Sequence, residues 1–144
     1  MIGFTLLFDY IYFMQHILLI EDDALIALGL STTLKRQGYR VSHAINGQEG
    51  VDIYHRDRAD LVITDLNMPV MDGYAVIRTL REESPEMKIV VVAGIDRAKT
   101  EDCMYSMGIT SIVTKPISPT KLLDTVRKAL DIGLVHPPRV IPTH

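Results

Sequence analysis

Cysteine occurs once in these 144 residues, at Cys103, so an internal disulfide framework is excluded and a reducing, cytoplasmic compartment is expected. A basic block is also missing, and the net charge is −3. Nucleic-acid affinity depends on clustered Lys and Arg that neutralise phosphates, so direct nucleic-acid binding is not expected. The five His are scattered without metal-site spacing, and nothing repeats. No glycine-rich turn follows the first apolar run, which removes the usual cradle for nucleotide phosphates. With 47% apolar and 23% charged residues, the composition is that of one ordinary globular core. Cys103 falls in a helical pattern near Met107 and is expected to pack rather than to react.

Apolar runs and helical patterns alternate five times. Strands are expected near 16–20, 39–43, 60–64, 88–93 and 110–114, and helices near 23–37, 46–56, 73–83, 96–107 and 118–131. Such alternation means parallel strands joined by right-handed crossovers, hence a three-layer α/β sandwich. Gln37-Gly38 marks a helix end, and Ser118-Pro119 gives an N-cap followed by a proline at the first helical position. Ala27, Leu30 and Leu34 repeat at helical spacing, as do Leu122, Val126 and Ala129. Both stripes are expected to face the core.

The chemistry concentrates where strands end. The run Leu61-Val62-Ile63-Thr64 leads into Asp65, and Asn67, Pro69 and Gly73 mark the loop that follows. Functional groups of open parallel sheets sit just beyond the carboxyl ends of the strands. An isolated Asp there is more often the cap of the next turn or helix. Here it has company, because His16-Ile17-Leu18-Leu19-Ile20 ends directly in Glu21-Asp22-Asp23. If the two strands are neighbours, about 4.8 Å apart, their carboxylates converge on one small volume. Converging like charges repel, and such a cluster normally holds a hard divalent cation with oxygen ligands, as Mg²⁺ prefers. Asp23 stands open between this cluster and a helix cap. A third strand, Ser111-Ile112-Val113-Thr114, ends in Lys115-Pro116, whose ammonium could neutralise the acids or an incoming phosphoryl group.

Taken together, Glu21-Asp22, Asp65 within Thr64-Asp65-Leu66-Asn67-Met68-Pro69-Val70-Met71-Asp72-Gly73, and Lys115-Pro116 resemble the receiver domains of two-component response regulators. The order, spacing and strand context all match over about residues 15 to 131. This resemblance implies a doubly wound (βα)5, flavodoxin-like fold with strand order 2-1-3-4-5. It implies that Asp65 is the phosphoacceptor and that Lys115 pairs with the phosphoryl oxygens. Glu21, Asp22, Asp65 and the backbone carbonyl of Asn67 would hold Mg²⁺. The phosphoryl donor would be a sensor histidine kinase, a histidine phosphotransfer protein or a small donor such as acetyl phosphate. Slow self-dephosphorylation is implied too, in a signalling domain rather than a conventional enzyme.

Two positions depart from the pattern. Receiver domains usually end the fourth strand in a Ser or Thr that bonds the phosphoryl group, whereas this strand ends in Ala93. A methyl cannot donate, so one charge-assisted hydrogen bond, typically about 1.5–3 kcal/mol, is absent from the phosphorylated state. The aromatic switch position of the fifth strand corresponds to Ile112. The expectation is an atypical receiver that accepts phosphate and responds less, or by another route.

Three units are expected: an apolar extension at 1–13, the receiver domain at 14–131 and a Pro-rich tail at 132–144. The extension lacks the basic start and cleavage site of a secretory signal, and at 13 residues it falls short of the roughly 20 that a membrane span needs. Membrane attachment is therefore not expected. Exposed apolar surface of this size would favour association, a homodimer included. With only a tail after residue 131, output is expected through a protein partner, in this family commonly over the region from Ile95 to Leu130. The alternatives are a constitutive binding module of the same fold, a receiver fragment of a larger regulator, and an aspartyl phosphohydrolase. The last is weakest, because dehalogenase-like phosphatases place a second Asp where this chain has Asn67.

Overall fold

A computed structural model describes residues 14–94 and 97–131. The apolar extension at 1–13, the Pro-rich tail at 132–144 and Ile95 lie outside the described residues. Five strands, β1 (His16–Ile20), β2 (Arg40–Ala44), β3 (Leu61–Asp65), β4 (Lys88–Ala93) and β5 (Ser111–Thr114), form one sheet. All pairings are parallel, in the order β2-β1-β3-β4-β5. The helices are α1 (Ala24–Arg36), α2 (Gly47–Arg56), α3 (Gly73–Glu83), α4 (Arg97–Ser106) and α5 (Pro119–Asp131). The expected elements agree with these within one or two residues, and the strand order is the one the resemblance implied.

A sheet covered on both faces explains why β1 and β3 are buried along their whole length and are mostly apolar, at residues 17–20 and 61–63. Successive side chains point to opposite faces. Leu18, Ile20, Val62, Val91 and Ala93 pack with Tyr54 of α2, Val76, Ile77 and Leu80 of α3 and Met104 of α4. Ile17, Leu19, Ile63, Val90 and Val113 pack with Ala27, Leu30 and Leu34 of α1 and Leu122, Val126 and Ala129 of α5. Each fully buried aliphatic side chain contributes roughly 1.5–3 kcal/mol, so these two layers hold the strand ends, and whatever they carry, in register.

Local signals set the helix boundaries. α1 ends in a Schellman motif: Gly38 takes φ 92°, its N–H donates to Lys35 O at 3.0 Å, and Tyr39 N–H donates to Leu34 O at 3.4 Å. Ser118 caps α5, its hydroxyl accepting from Lys121 N–H at 3.4 Å. One expectation fails, because Cys103 is exposed rather than packed. On α4 Met104 is buried, and its neighbour Cys103 is turned to solvent by the helical period. No helix among the described residues is long and apolar enough to cross a membrane.

Candidate functional site

β1 and β3 are neighbours, with Ile20 level with Thr64, so the residues that leave these strands meet at one end of the sheet. Asp65 is the last residue of β3 and only 2% exposed; Glu21 follows β1 and is equally buried, while Asp22 is exposed. Carboxylate oxygens of Glu21, Asp22 and Asp65 all lie within 4.8 Å of one another. From the far side, Lys115 leaves β5 and places its Nζ 2.5 Å from Asp65 Oδ2. The sequence-expected residues Glu21, Asp22, Asp65 and Lys115 are therefore one cluster in space.

Backbone bonds fix the pieces. Asp65 Oδ1 accepts from Asn67 N–H at 3.1 Å, so both carboxylate oxygens have a donor. Glu21 Oε1 accepts from Asp23 N–H at 3.1 Å, and Glu21 N–H donates to Ala44 O at 3.0 Å. Lys115 N–H donates to Ala93 O at 2.8 Å, extending the β4–β5 ladder by one residue, and the Lys115–Pro116 bond is cis. The open question over Asp23 resolves as a cap: its Oδ1 accepts from Leu25 and Ile26 N–H at 2.9 and 3.1 Å.

The electrostatics follow from three acids facing one ammonium. Burial pushes the Glu21 carboxyl above its usual range; the Asp23 N–H bond opposes this, the Asp65 charge adds to it, Lys115 opposes it and Asp22 adds to it. Burial by itself would lower the Lys115 ammonium, but its hydrogen bond to Asp65 and the charges of Asp65, Glu21 and Asp22 outweigh burial and raise it. Such a pocket attracts cations and, with Asp65 alone, repels a phosphate.

Two contributors were not visible in the chain. His43 Nε2 lies 2.7 Å from the Glu21 carbonyl oxygen, so this nitrogen carries the proton and braces the backbone that presents the acids. Finding it requires the β1–β2 register, which places His43 beside Leu19. Gly73 N–H donates to Leu66 O at 3.0 Å, bringing the start of α3 against the backbone of Asp65. Of the two atypical positions, Ala93 is 2% exposed and Ile112 packs partly buried on the same core layer.

A family model described as "Response regulator receiver domain" matches residues 17–127. The chain is 34% identical over 116 residues to the "Probable transcriptional regulator ycf27" of Porphyridium aerugineum, covering 81% of this chain and 48% of that protein. It is 31% identical over 129 residues to the "Cell cycle response regulator CtrA" of Brucella ovis, covering 90% of this chain and 56% of that one. The chain thus spans about half the length of these relatives. Among solved structures, chemotaxis protein CheY4 of Vibrio cholerae is similar at 29% identity and a TM-score of 0.76, covering 81% of this chain and 98% of that one. A CheY-like receiver domain protein of Methanospirillum hungatei JF-1 is similar at 25% identity and the same TM-score, covering 82% and 94%. With motif, fold and relatives in agreement, the chain belongs to the response regulator receiver domain family, the signalling domain of two-component systems.

Proposed function

We propose that this receiver takes a phosphoryl group onto Asp65 from a phosphohistidine of a sensor kinase or phosphotransfer protein, or from a small donor such as acetyl phosphate. The observation that carries the reading is the pairing of Lys115 Nζ with Asp65 Oδ2 beside two further carboxylates at the open end of the sheet. Carboxylates act as covalent nucleophiles, and phosphoryl transfer needs mostly positioning and charge neutralisation. A carboxylate oxygen of Asp65 forms the new P–O bond as the donor's bond to phosphorus breaks, leaving Asp65 as an acyl phosphate. The broken bond is either the P–N bond of a phosphohistidine protonated on its other ring nitrogen, which leaves as neutral imidazole, or the P–O bond of acetyl phosphate, which leaves as acetate. Lys115 stays beside the group and pairs with its oxygens as a point charge.

The all-oxygen donor set of Glu21, Asp22 and Asp65, clustered within 4.8 Å, fits a hard divalent cation. The backbone carbonyl of Asn67 would complete the protein's share. Bound there, Mg²⁺ would supply the positive charge that offsets the acids and the phosphoryl oxygens. Asp65 buried against Lys115 keeps one oxygen paired, and the Asn67 N–H orients the other.

Output is proposed to pass through a protein partner docking on the α4–β5–α5 side, in a cytoplasmic setting where the single unpaired Cys103 stays reduced. The fold-equivalent alternative is a binding module that signals without phosphorylation, favoured by the buried methyl of Ala93 where a hydroxyl is usual. Incubation with Mg²⁺ and acetyl phosphate or a phosphorylated kinase, read by intact mass, separates the two. One added phosphoryl group that disappears in Asp65→Asn supports the phosphoacceptor; no incorporation from any donor supports the constitutive module.

A further inference from the structure

Three successive peptide units present Glu21 and Asp22, and a hydrogen bond holds each of them. The unit before Glu21 is tied to the edge strand β2, where Glu21 N–H donates to Ala44 O at 3.0 Å. The unit between Glu21 and Asp22 is held by His43, whose Nε2 donates to Glu21 O at 2.7 Å. The unit between Asp22 and Asp23 is held by Glu21 itself, whose Oε1 accepts from Asp23 N–H at 3.1 Å. Beyond it the chain is fixed by Asp23 as the cap of α1.

Of these three bonds, only the one from His43 is made by a side chain that is not an acid of the cluster. His43 is half-buried near the end of β2, so its ring can be exchanged without opening the core. Without that ring the Glu21 carbonyl is left to water, and the peptide unit joining the two acids gains freedom to rotate. This freedom matters differently to different cations. Mg²⁺ demands near-octahedral oxygens at about 2.0–2.1 Å, whereas Ca²⁺ accepts roughly six to eight of them at about 2.3–2.6 Å in flexible arrangements. A pinned backbone therefore favours the smaller ion.

We propose that His43 is a positioning residue that sets the cation preference of the acidic cluster, favouring Mg²⁺ over Ca²⁺ by pinning the Glu21–Asp22 peptide unit. It acts through the Glu21 carbonyl. Groups that orient metal ligands from behind commonly change metal affinity about 10–100-fold. The inference rests on the reading of the cluster as a cation site and is independent of whether Asp65 is phosphorylated.

The test titrates Mg²⁺ and, separately, Ca²⁺ into the full chain at constant ionic strength, following the backbone amide NMR shifts of Glu21, Asp22 and Asp65. His43→Leu removes the donor, and His43→Gln supplies an amide N–H of similar reach. Neither replacement can carry a charge, so the pair isolates the hydrogen bond. His43→Phe, a ring without a donor, takes the place of the Leu variant if that one does not fold. The parent is expected to bind Mg²⁺ more tightly than Ca²⁺. His43→Leu should weaken Mg²⁺ about tenfold and Ca²⁺ by less, so that the ratio of the two affinities falls, and His43→Gln should recover most of the loss. A purely structural role would lower the melting temperature in EDTA and leave that ratio unchanged in the folded protein. An unchanged ratio, a Gln variant no better than the Leu variant, or a parent that prefers Ca²⁺ overturns the proposal and leaves the cation site standing. A parent that binds neither ion overturns the cation reading of the cluster and this inference with it.

Discussion

Gly73 lies against Asp65 so closely that a Cβ added to it would run into the Asp65 carbonyl oxygen and come within 2.7 Å of Leu66 Cα. Both obstacles are backbone at the strand end that carries the candidate phosphoacceptor, so neither can turn aside as a flexible side chain would. Gly73→Ala is therefore expected to cost about 1–3 kcal/mol by overpacking, read as a lower urea midpoint. It should also slow phosphorylation of Asp65. A stability loss without any change at Asp65 would show that the loop, and not the strand end, gives way.

Three carboxylates that crowd one ammonium should make the metal-free protein less stable than it could be. Glu21→Gln keeps an oxygen for the Asp23 N–H and removes one charge, so in EDTA it should melt higher than the parent. Adding Mg²⁺ should reverse the order, because a cation that binds only the folded state stabilises by about 2.7 kcal/mol at a hundredfold excess over Kd. Thermal melts of both proteins with and without Mg²⁺ check this. A parent that ignores Mg²⁺ would count against the cation site.

Val70 takes φ 71° at the tip of the loop after β3, spanned by a Met71 N–H to Pro69 O bond of 2.8 Å. A positive φ with an i to i+2 bond is the strained form of the γ-turn, and a β-branched residue suffers most there. With 83% of its surface exposed, Val70 gains little from burial in return. Val70→Gly should raise stability by about 1 kcal/mol, the relieved strain exceeding the extra freedom of the unfolded chain. Chemical denaturation measures it, and a decrease would mean that the Val side chain has a contact worth more than the strain.

Asp57 and Arg40 form a two-pronged ion pair at 2.6 and 3.3 Å between α2 and β2. The Arg40 hydrogen bond holds the Asp57 carboxyl below its usual value of 3.8. A depressed carboxyl stabilises the fold above 3.8, and that contribution is lost as pH falls through the lower folded value. Since Asp57 is 51% exposed, solvent screening keeps the contribution below about 1 kcal/mol. Asp57→Asn should be slightly less stable at neutral pH and indistinguishable from the parent once both are well below 3.8. A gap that persists in acid would assign the loss to packing.

The order of elements was legible because β1 and β3 are buried on both faces and mostly apolar, with His16 and Thr64 as their only uncharged polar members, so the carboxylates of Glu21 and Asp65 stood out where the runs end. Local chemistry also announced Gly38 and Ser118 as helix boundaries. What the chain hid depends on the third dimension. His43 reaches the Glu21 backbone only through strand register, and Gly73 matters only because α3 starts against Asp65. Cys103 was misread because α4 has a weak apolar face, so its helical period gave no guide to which side is inward.

Ala93 and Thr114 are register partners at the last rung of β4 and β5, one residue before Lys115. If Asp65 takes the phosphoryl group as proposed, this rung ends one residue short of the Lys115 that pairs with Asp65, and Ala93 presents a buried methyl there. Ala93→Thr should supply the missing donor, worth about 1.5–3 kcal/mol to the phosphorylated state, and lengthen the lifetime of its amide NMR signature through residues 94–112. In the unphosphorylated protein the same hydroxyl is buried among apolar neighbours, so that state should lose about 1–3 kcal/mol. The two effects have opposite sign, so a difference in melting temperature between phosphorylated and unphosphorylated Ala93→Thr that exceeds the parent's is the expected result. Equal differences would mean that the response of this receiver does not run through the end of β4.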